Sequence, residues 1–217
     1  LKHSFSKKYF IEKFERERIT DAAYELYELE NINGVKDIFV IPDLKGFNIT
    51  IPYKEEIIRF LDSLDVSAEK VGAVNVVKIQ KNGEKTGYNS DYYGFKNSLE
   101  IWADLSEIQQ ALVLGTGGAS KAVIEVLNDL GITHFIVSRS KKSGVFTYDD
   151  IKHNPGIIRS HRLIVNCTPL GTYPDTESKP DIDYHLLTKD HYLYDLVYNP
   201  EITAFMKAGI NHGAFVK

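Results

Sequence analysis

Cysteine, methionine and tryptophan each occur once in 217 residues. A single thiol, Cys167, excludes an internal disulfide framework and suits a reducing compartment, so a cytoplasmic location is expected. No apolar run approaches the roughly 20 residues that span a bilayer. The opening LKHSFSKKYF also lacks the apolar core of a secretory leader. Nor is there an excess of positive charge: 26 Lys and Arg stand against 30 Asp and Glu, a formal net charge of -4. Without a basic field or a cationic face, neither nucleic acid nor a membrane is an expected partner. An anionic ligand must then be held by local groups. No internal repeat or low-complexity tract is found. What remains is a globular composition, 43% hydrophobic and 26% charged, long enough for one large domain or two small ones. The chain starts at Leu1 and stops in what reads as a short strand, so it is expected to be part of a longer product.

The hydrophobic periodicity predicts an α/β fold in two domains. SKKYFIEKFERER has helical spacing with Ser6 as its cap. Tyr24 to Leu29 alternates like a strand, and INGVKDIFVI reads as a short helix. GFNITIP gives a strand, followed by a helical KEEIIRFLDSL. GAVNVVKI and EKTGY form two strands around a Lys81-Asn82-Gly83 turn. A first α/β unit therefore fills 1–95, and Asp91 to Trp102 is a helix connecting it to the next. Strands QQALVLG, THFIVS, RLIVN and YLYDLV follow, with a helix over KAVIEVLNDLG. Their near-continuous apolar character suits a parallel sheet covered on both faces. Residues 96–205 thus read as a Rossmann-like nucleotide domain with a cleft between it and the first, and 206–217 as a truncated return segment toward the first domain.

LVLGTGGAS is a strand, a glycine turn and a helix start. Gly115 permits the turn, Gly117 and Gly118 let the backbone approach a pyrophosphate, and the following amides point at its charge. Ser120 stands where a full G-x-G-x-x-G motif has its last glycine. The next strand ends in Ser138-Arg139-Ser140-Lys141-Lys142. NAD-binding folds usually place a carboxylate there for the ribose 2′-hydroxyl. Three cations and no carboxylate suit a 2′-phosphate, with the Arg139 guanidinium able to stack on adenine, so NADP(H) is the expected cofactor. A glycine turn serving only packing and a solvated basic loop are the plain alternatives.

Lys54 and Asp91 each follow a strand end, where open α/β sheets place ligands. Ketone reduction needs a cation or donor near the oxygen and a proton source, and a Lys beside an Asp supplies both. Two such residues 37 positions apart are more often two surface charges. The surrounding motifs change that balance.

His3-Ser4-Phe5-Ser6 resembles the H-S-x-S loop of the shikimate dehydrogenase family. Asn48 to Lys54 resembles its N-V-T-x-P-x-K segment, and Gly72-Ala73-Val74-Asn75 its G-A-V-N-T stretch. Gly87-Tyr88-Asn89-Ser90-Asp91-Tyr92-Tyr93-Gly94 is similar to G-x-N-T-D-x-x-G. Gly115-Thr116-Gly117-Gly118-Ala119-Ser120 is similar to G-A-G-G-A-S, and Ser138-Arg139-Ser140 to N-R-T. Asn166 to Gly171 matches N-x-T-P-x-G, and Asp195 to Pro200 matches D-x-x-Y-x-P. The resemblance spans almost the whole chain.

It implies NADPH-dependent reduction of the small-molecule substrate 3-dehydroshikimate to shikimate, in aromatic amino-acid biosynthesis, by a monomer or homodimer that needs no metal. Carried over, Ser4 and Ser6 hold the substrate carboxylate, neutral donors answering the lack of positive charge. Thr50 and Asn75 read ring hydroxyls together with Asp91, Lys54 lies beside the reacting oxygen, and Tyr198 lines the cleft. Gly115, Thr116, Gly117, Gly118, Ala119, Ser138, Arg139, Ser140, Lys142, Thr168 and Leu170 hold the cofactor. Three departures stand out. The family's opening strand and its closing N-G-x-x-M-L-x-x-Q-A helix are missing, and the stretch from Arg139 to Arg162 is short enough to have lost or reduced a helix. A quinate/shikimate or other NAD(P)-dependent paralogue, or a non-catalytic nucleotide-binding module, are the competing readings.

Overall fold

The computed structural model describes residues 5–217, in two compact units, Leu1–Gly46 and Phe47–Lys217. In the first unit, α1 (Phe5–Glu17) is followed by a 3-10 turn at Ile32–Gly34 and α2 (Val35–Phe39). Since α1 begins at Phe5, Ser6 lies in its first turn and not at the cap. The alternating segment 24–29 is not a strand: a strand needs a neighbour for its amides, and no strand lies beside it among the described residues. Its alternation arises because one face lies on α1, with Tyr24 stacked 4.7 Å from Phe10 and Glu25 paired to Lys7 at 2.7 Å.

The second unit holds two sheets. The smaller uses β1 (Gly46–Asn48), β2 (Ser63–Leu64), β3 (Val76–Ile79) and β4 (Lys85–Tyr88) in the order β1-β3-β4-β2. Of the expected helix at 54–64 only 56–60 is helical, as a 3-10 segment, because Ser63 and Leu64 extend to pair with Thr86 and Gly87. A helix the sequence reading did not foresee, α3 (Val66–Val71), is capped by Asp65, which accepts from the Ser67 amide at 2.9 Å, and ends at Gly72 with φ 66°. Helix α4 (Ser90–Trp102) is capped by Asn89 and leads to the larger sheet.

That sheet is parallel throughout. It contains β5 (Gln110–Leu114), β6 (Thr133–Ser138), β7 (Val145–Thr147), β8 (Leu163–Asn166), β9 (Tyr192–Asp195) and β10 (Phe215–Val216), ordered β10-β9-β8-β5-β6-β7. Its helices are α5 (Gly118–Asp129), α6 (Tyr148–His153), α7 (Pro155–Ser160) and α8 (Ala204–Asn211). The chain winds outward from β5 to β7, then returns to build β8 to β10 on the other side. The reversal falls between β5 and β8, where such sheets bind ligands beyond their carboxyl ends.

Alternate residues of β5 show why the strands are apolar along their whole length. Ala111 and Val113 join one buried cluster with Leu99, Val123, Val126 and Tyr194. Leu112 and Leu114 join another with Ile151, Ile158, Leu193 and Phe205. Each face is covered, so period-two polarity disappears. Between Arg139 and Arg162 the segment holds a three-residue strand and two six-residue helices. The tail departs from the expected return segment: β10 pairs with β9 and α8 packs there, because Phe215 stacks 5.0 Å from Tyr192 and Phe205 is fully buried in the sheet's core.

Helix α5 is also tied to the smaller sheet's helices. Lys70 reaches both oxygens of Asp129 at 2.6 and 2.7 Å, and the Tyr92 hydroxyl donates to the same carboxylate. The bonds from Lys70, then Tyr92, hold the Asp129 carboxyl below its ordinary range.

Candidate active site

Two strand ends set the Lys54–Asp91 pair. Lys54 is fixed through its carbonyl, which accepts from the Val74 amide at 2.7 Å. Asp91 occupies the first turn of α4, where the helix dipole favours a carboxylate. Lys54 Nζ donates to Asp91 Oδ2 at 3.0 Å, their side chains 26% and 44% exposed. The sequence separation of 37 residues is thus closed to one hydrogen bond.

The pair lies in a cleft of about 250 Å³ lined also by Pro52, Ala73, Asn89, Gly118 and Lys121. Gly118 is the first residue of α5, so the cleft joins the Lys54–Asp91 pair to the glycine turn. Asn75 is buried beside it. Its Oδ1 accepts from the Ser90 amide at 2.8 Å and from the Ser90 hydroxyl at 3.2 Å. A backbone amide can only donate, so this contact fixes the side-chain orientation and leaves the Asn75 Nδ2 amide to donate toward a ligand. Thr50 is exposed two residues before the cleft-lining Pro52, and Tyr198 is 71% exposed; neither lines the cleft. Ser6 belongs to α1 in the other unit. Ser4 lies outside the described residues.

The turn after β5 fits a dinucleotide. Gly115 has φ 109°, and a Cβ there would come within 3.1 Å of Thr168 Cγ2. That close approach brings the loop after β8 against the turn. At Gly117 and Gly118 a Cβ would meet nothing within 4 Å, so the open space belongs to whatever approaches the backbone. Gly117 caps α5 without a side chain, leaving its first amides for an anion. Thr116 and Ala119 are exposed on the same turn. At the end of β6, Arg139, Ser140, Lys141 and Lys142 are exposed, and the Ser138 hydroxyl accepts from the Ser140 amide at 3.2 Å. Among the described residues none of these three cations makes an ion pair. A cationic loop without an ion-pair partner suits a 2′-phosphate. Thr168 and Leu170 occupy the loop that touches Gly115, with the Thr168 hydroxyl donating to Asn166 Oδ1 at 2.6 Å.

Sequence reasoning missed three residues here. Asn89 looks like a helix cap, and is one, but its Nδ2 also donates to the Ala73 carbonyl at 2.9 Å and holds a cleft wall. Glu55 and Lys121 both line the cleft and pair with each other. Lys121 follows Gly118 by three residues, which puts it on the same helix face. That spacing was the available signal. Among the described residues no group of three His, Cys, Asp or Glu side chains is placed to hold a metal, and no helix is long and apolar enough to cross a membrane.

A doubly wound parallel sheet whose glycine turn shares a cleft with a Lys–Asp pair is the architecture of a dinucleotide-dependent oxidoreductase. Comparison with known proteins narrows this class. A family model described as the shikimate dehydrogenase substrate binding domain matches residues 1–77. The chain is 36% identical over 223 residues to the shikimate dehydrogenase (NADP(+)) of Clostridium beijerinckii, covering 97% of this chain and 80% of that protein. The crystal structure of a chorismate mutase/shikimate 5-dehydrogenase fusion protein from Clostridium acetobutylicum matches with a TM-score of 0.84 at 31% identity, over all of this chain and 80% of that one. Shikimate 5-dehydrogenase from Thermus thermophilus, crystallised with NADP(H) and shikimate, matches with a TM-score of 0.80 at 28% identity, over 99% of this chain and 82% of that one. The chain belongs to the shikimate dehydrogenase family.

Proposed function

We propose that this chain carries the NADPH-dependent reduction of 3-dehydroshikimate to shikimate, in the cytoplasm. The observation that supports it most is the Lys54–Asp91 hydrogen bond of 3.0 Å in a cleft whose other wall begins at Gly118. Bound NADPH supplies the hydride. The chain's own groups do the rest. Lys54 places positive charge where a ketone oxygen gains negative charge, and the Lys54–Asp91 pair delivers the proton. Asp91 keeps the Lys54 ammonium aimed into the cleft. The Asn75 Nδ2 amide donates to a ring hydroxyl, its orientation locked by Ser90. The family motifs alone assign Thr50 to a ring hydroxyl, Tyr198 to the cleft wall and Ser4 and Ser6 to the carboxylate; Thr50 and Tyr198 lie outside the cleft lining. Gly115 to Ala119 hold the pyrophosphate. Ser138, Arg139, Ser140 and Lys142 hold the 2′-phosphate end, and Thr168 and Leu170 face the opposite end of the dinucleotide. In this reading 1–95 form the substrate domain and 96–205 the cofactor domain.

The test is an absorbance assay of nucleotide consumption with 3-dehydroshikimate, run with NADPH and with NADH. Consumption of NADPH at a much higher kcat/KM than NADH supports the reading. Binding of NADPH without turnover would support a nucleotide-binding module in its place, and preference for quinate with NAD a paralogue.

A further inference from the structure

Outside the cleft, the larger sheet holds a buried carboxylate that accepts three hydrogen bonds. Asp195 ends β9 and is 7% exposed. Its Oδ1 accepts from Asn166 Nδ2 at 2.9 Å and from the Val197 amide at 3.0 Å, and its Oδ2 from the Thr203 hydroxyl at 2.6 Å. Burial holds this carboxyl above its ordinary range, and the bonds from Thr203, Val197 and Asn166 pull it only part of the way back. A buried carboxylate is costly unless its bonds are complete, and an apolar residue would be the simpler filling for this part of the sheet. Its position demands a use.

The use is visible in what its partners hold. Asn166 ends β8 and lies opposite Asp195 in register. With its amide nitrogen fixed by Asp195, the Asn166 Oδ1 turns to the next loop, accepting from the Thr168 amide at 3.0 Å and the Thr168 hydroxyl at 2.6 Å. The Thr168 oxygen in turn accepts from the Leu170 amide at 3.3 Å. Thr203, the second partner, caps α8 by accepting from the Met206 amide at 3.2 Å and also abuts Gly171, at whose Cβ position it would lie 3.5 Å away. Asp195 therefore grips both ends of the loop between Asn166 and Gly171. That loop leans on Gly115, at the switch point of the sheet.

The geometry points to Asp195 as a positioning residue: through Asn166 it sets the Thr168–Leu170 loop against the dinucleotide turn and so fixes the reactive end of the cofactor relative to Lys54. This rests on the proposed cofactor roles of Thr168 and Leu170. Asp195 touches neither substrate nor cofactor in this account. Its effect belongs on hydride-transfer geometry, where a displacement of about 1 Å costs roughly a hundredfold in rate, and not on the grip of the distant 2′-phosphate end.

The experiment compares Asp195→Ala, Asp195→Asn and Thr168→Val with the wild type, each normalised to its NADPH-binding sites by titration. Asp195→Ala is expected to lower kcat about a hundredfold while the NADPH dissociation constant changes less than about threefold. Asp195→Asn keeps an acceptor for Asn166 and Val197 and is expected to recover kcat to within about fivefold of wild type. Thr168→Val removes only a hydroxyl from a half-buried loop and stays informative if Asp195→Ala does not fold. Its kcat should fall, and the double variant with Asp195→Ala should lose less than the product of the single losses, since both cut one relay. A kcat per binding site within threefold of wild type in Asp195→Ala, or fully multiplicative losses in the double variant, overturns the inference. A wild type that binds NADPH and turns nothing over would overturn the functional reading alone. The loop's role would then be read from the fluorescence anisotropy of bound nicotinamide, which should drop in Thr168→Val and in Asp195→Ala. Unchanged anisotropy in both would refute it.

Discussion

Replacing Lys54 with Ala removes an ammonium 3.0 Å from Asp91 Oδ2 and leaves the Lys54 carbonyl's bond from Val74 in place. The backbone around the cleft therefore keeps its geometry. The side chain is 26% exposed and its partner 44%, so the ion pair contributes about 0–1 kcal/mol to folding and the melting temperature should move by only a few degrees. The cost falls on the transition state. A positioned proton donor contributes about 10²–10⁴-fold, and a donor facing a developing oxyanion about 10²–10³-fold. Since one group carries both roles the effects overlap, and kcat should fall by roughly 10³-fold, or about 4 kcal/mol of activation free energy. Substrate affinity depends mainly on hydroxyl and carboxylate contacts elsewhere, so KM should stay within about fivefold. Steady-state rates at saturating NADPH across a substrate series, with a melting curve on the same preparation, give all three quantities. A kcat within tenfold of wild type, or a rise in KM alone, would refute the assigned role.

Arg139→Ala should raise KM for NADPH by about 10–100-fold through loss of a charge-assisted phosphate contact, with NADH kinetics almost unchanged; equal losses with both nucleotides would contradict the 2′-phosphate assignment. Gly118→Val places side-chain atoms in space where a Cβ meets nothing within 4 Å, so the protein should fold and lose NADPH affinity by at least tenfold, as titration would report. Unaltered affinity would remove the glycine turn from the cofactor site. His161 is buried, its Nε2 has no partner among the described residues, and burial holds its pKa below the ordinary 6.5. The unfolded chain therefore binds the proton first, and the stability that the neutral ring contributes is present above pH 6.5 and lost as pH falls below it. Urea unfolding at pH 7 and at pH 5 should show a drop for wild type that is smaller in His161→Gln; identical drops would exclude this residue as the cause.

Elements whose signal is local were legible. The glycine turn, the body of α5 and the strands β5, β6, β8 and β9 carry their own periodicity and turn chemistry. The structure places those four strands within two residues of expectation, whereas the three-residue β7 was not foreseen. Lys54 and Asp91 were legible through motifs, not through spacing, because a separation of 37 residues says nothing until a sheet closes it. Segment 24–29 misled because alternation reports one covered face and cannot distinguish a strand from a coil lying on a helix. Helix α3 is six residues long, too short for a clear period. The fate of 204–216 depended on β9 offering an edge, a tertiary fact. The Asp195 network joins residues 29 and 8 positions apart, and no window along the sequence holds both. Lys121 and Glu55, 66 positions apart, escaped for the same reason.

The most direct measurement follows the hydrogen itself. The wild-type chain is supplied with 3-dehydroshikimate and NADPH carrying deuterium at the transferable position of the nicotinamide, and the product is read by mass spectrometry and NMR. The account predicts one deuterium, on the carbon of the former ketone, with transfer slowed in Lys54→Ala and label position unchanged. Nucleotide oxidation with no deuterium in the product, or label transfer at undiminished rate without Lys54, would contradict it.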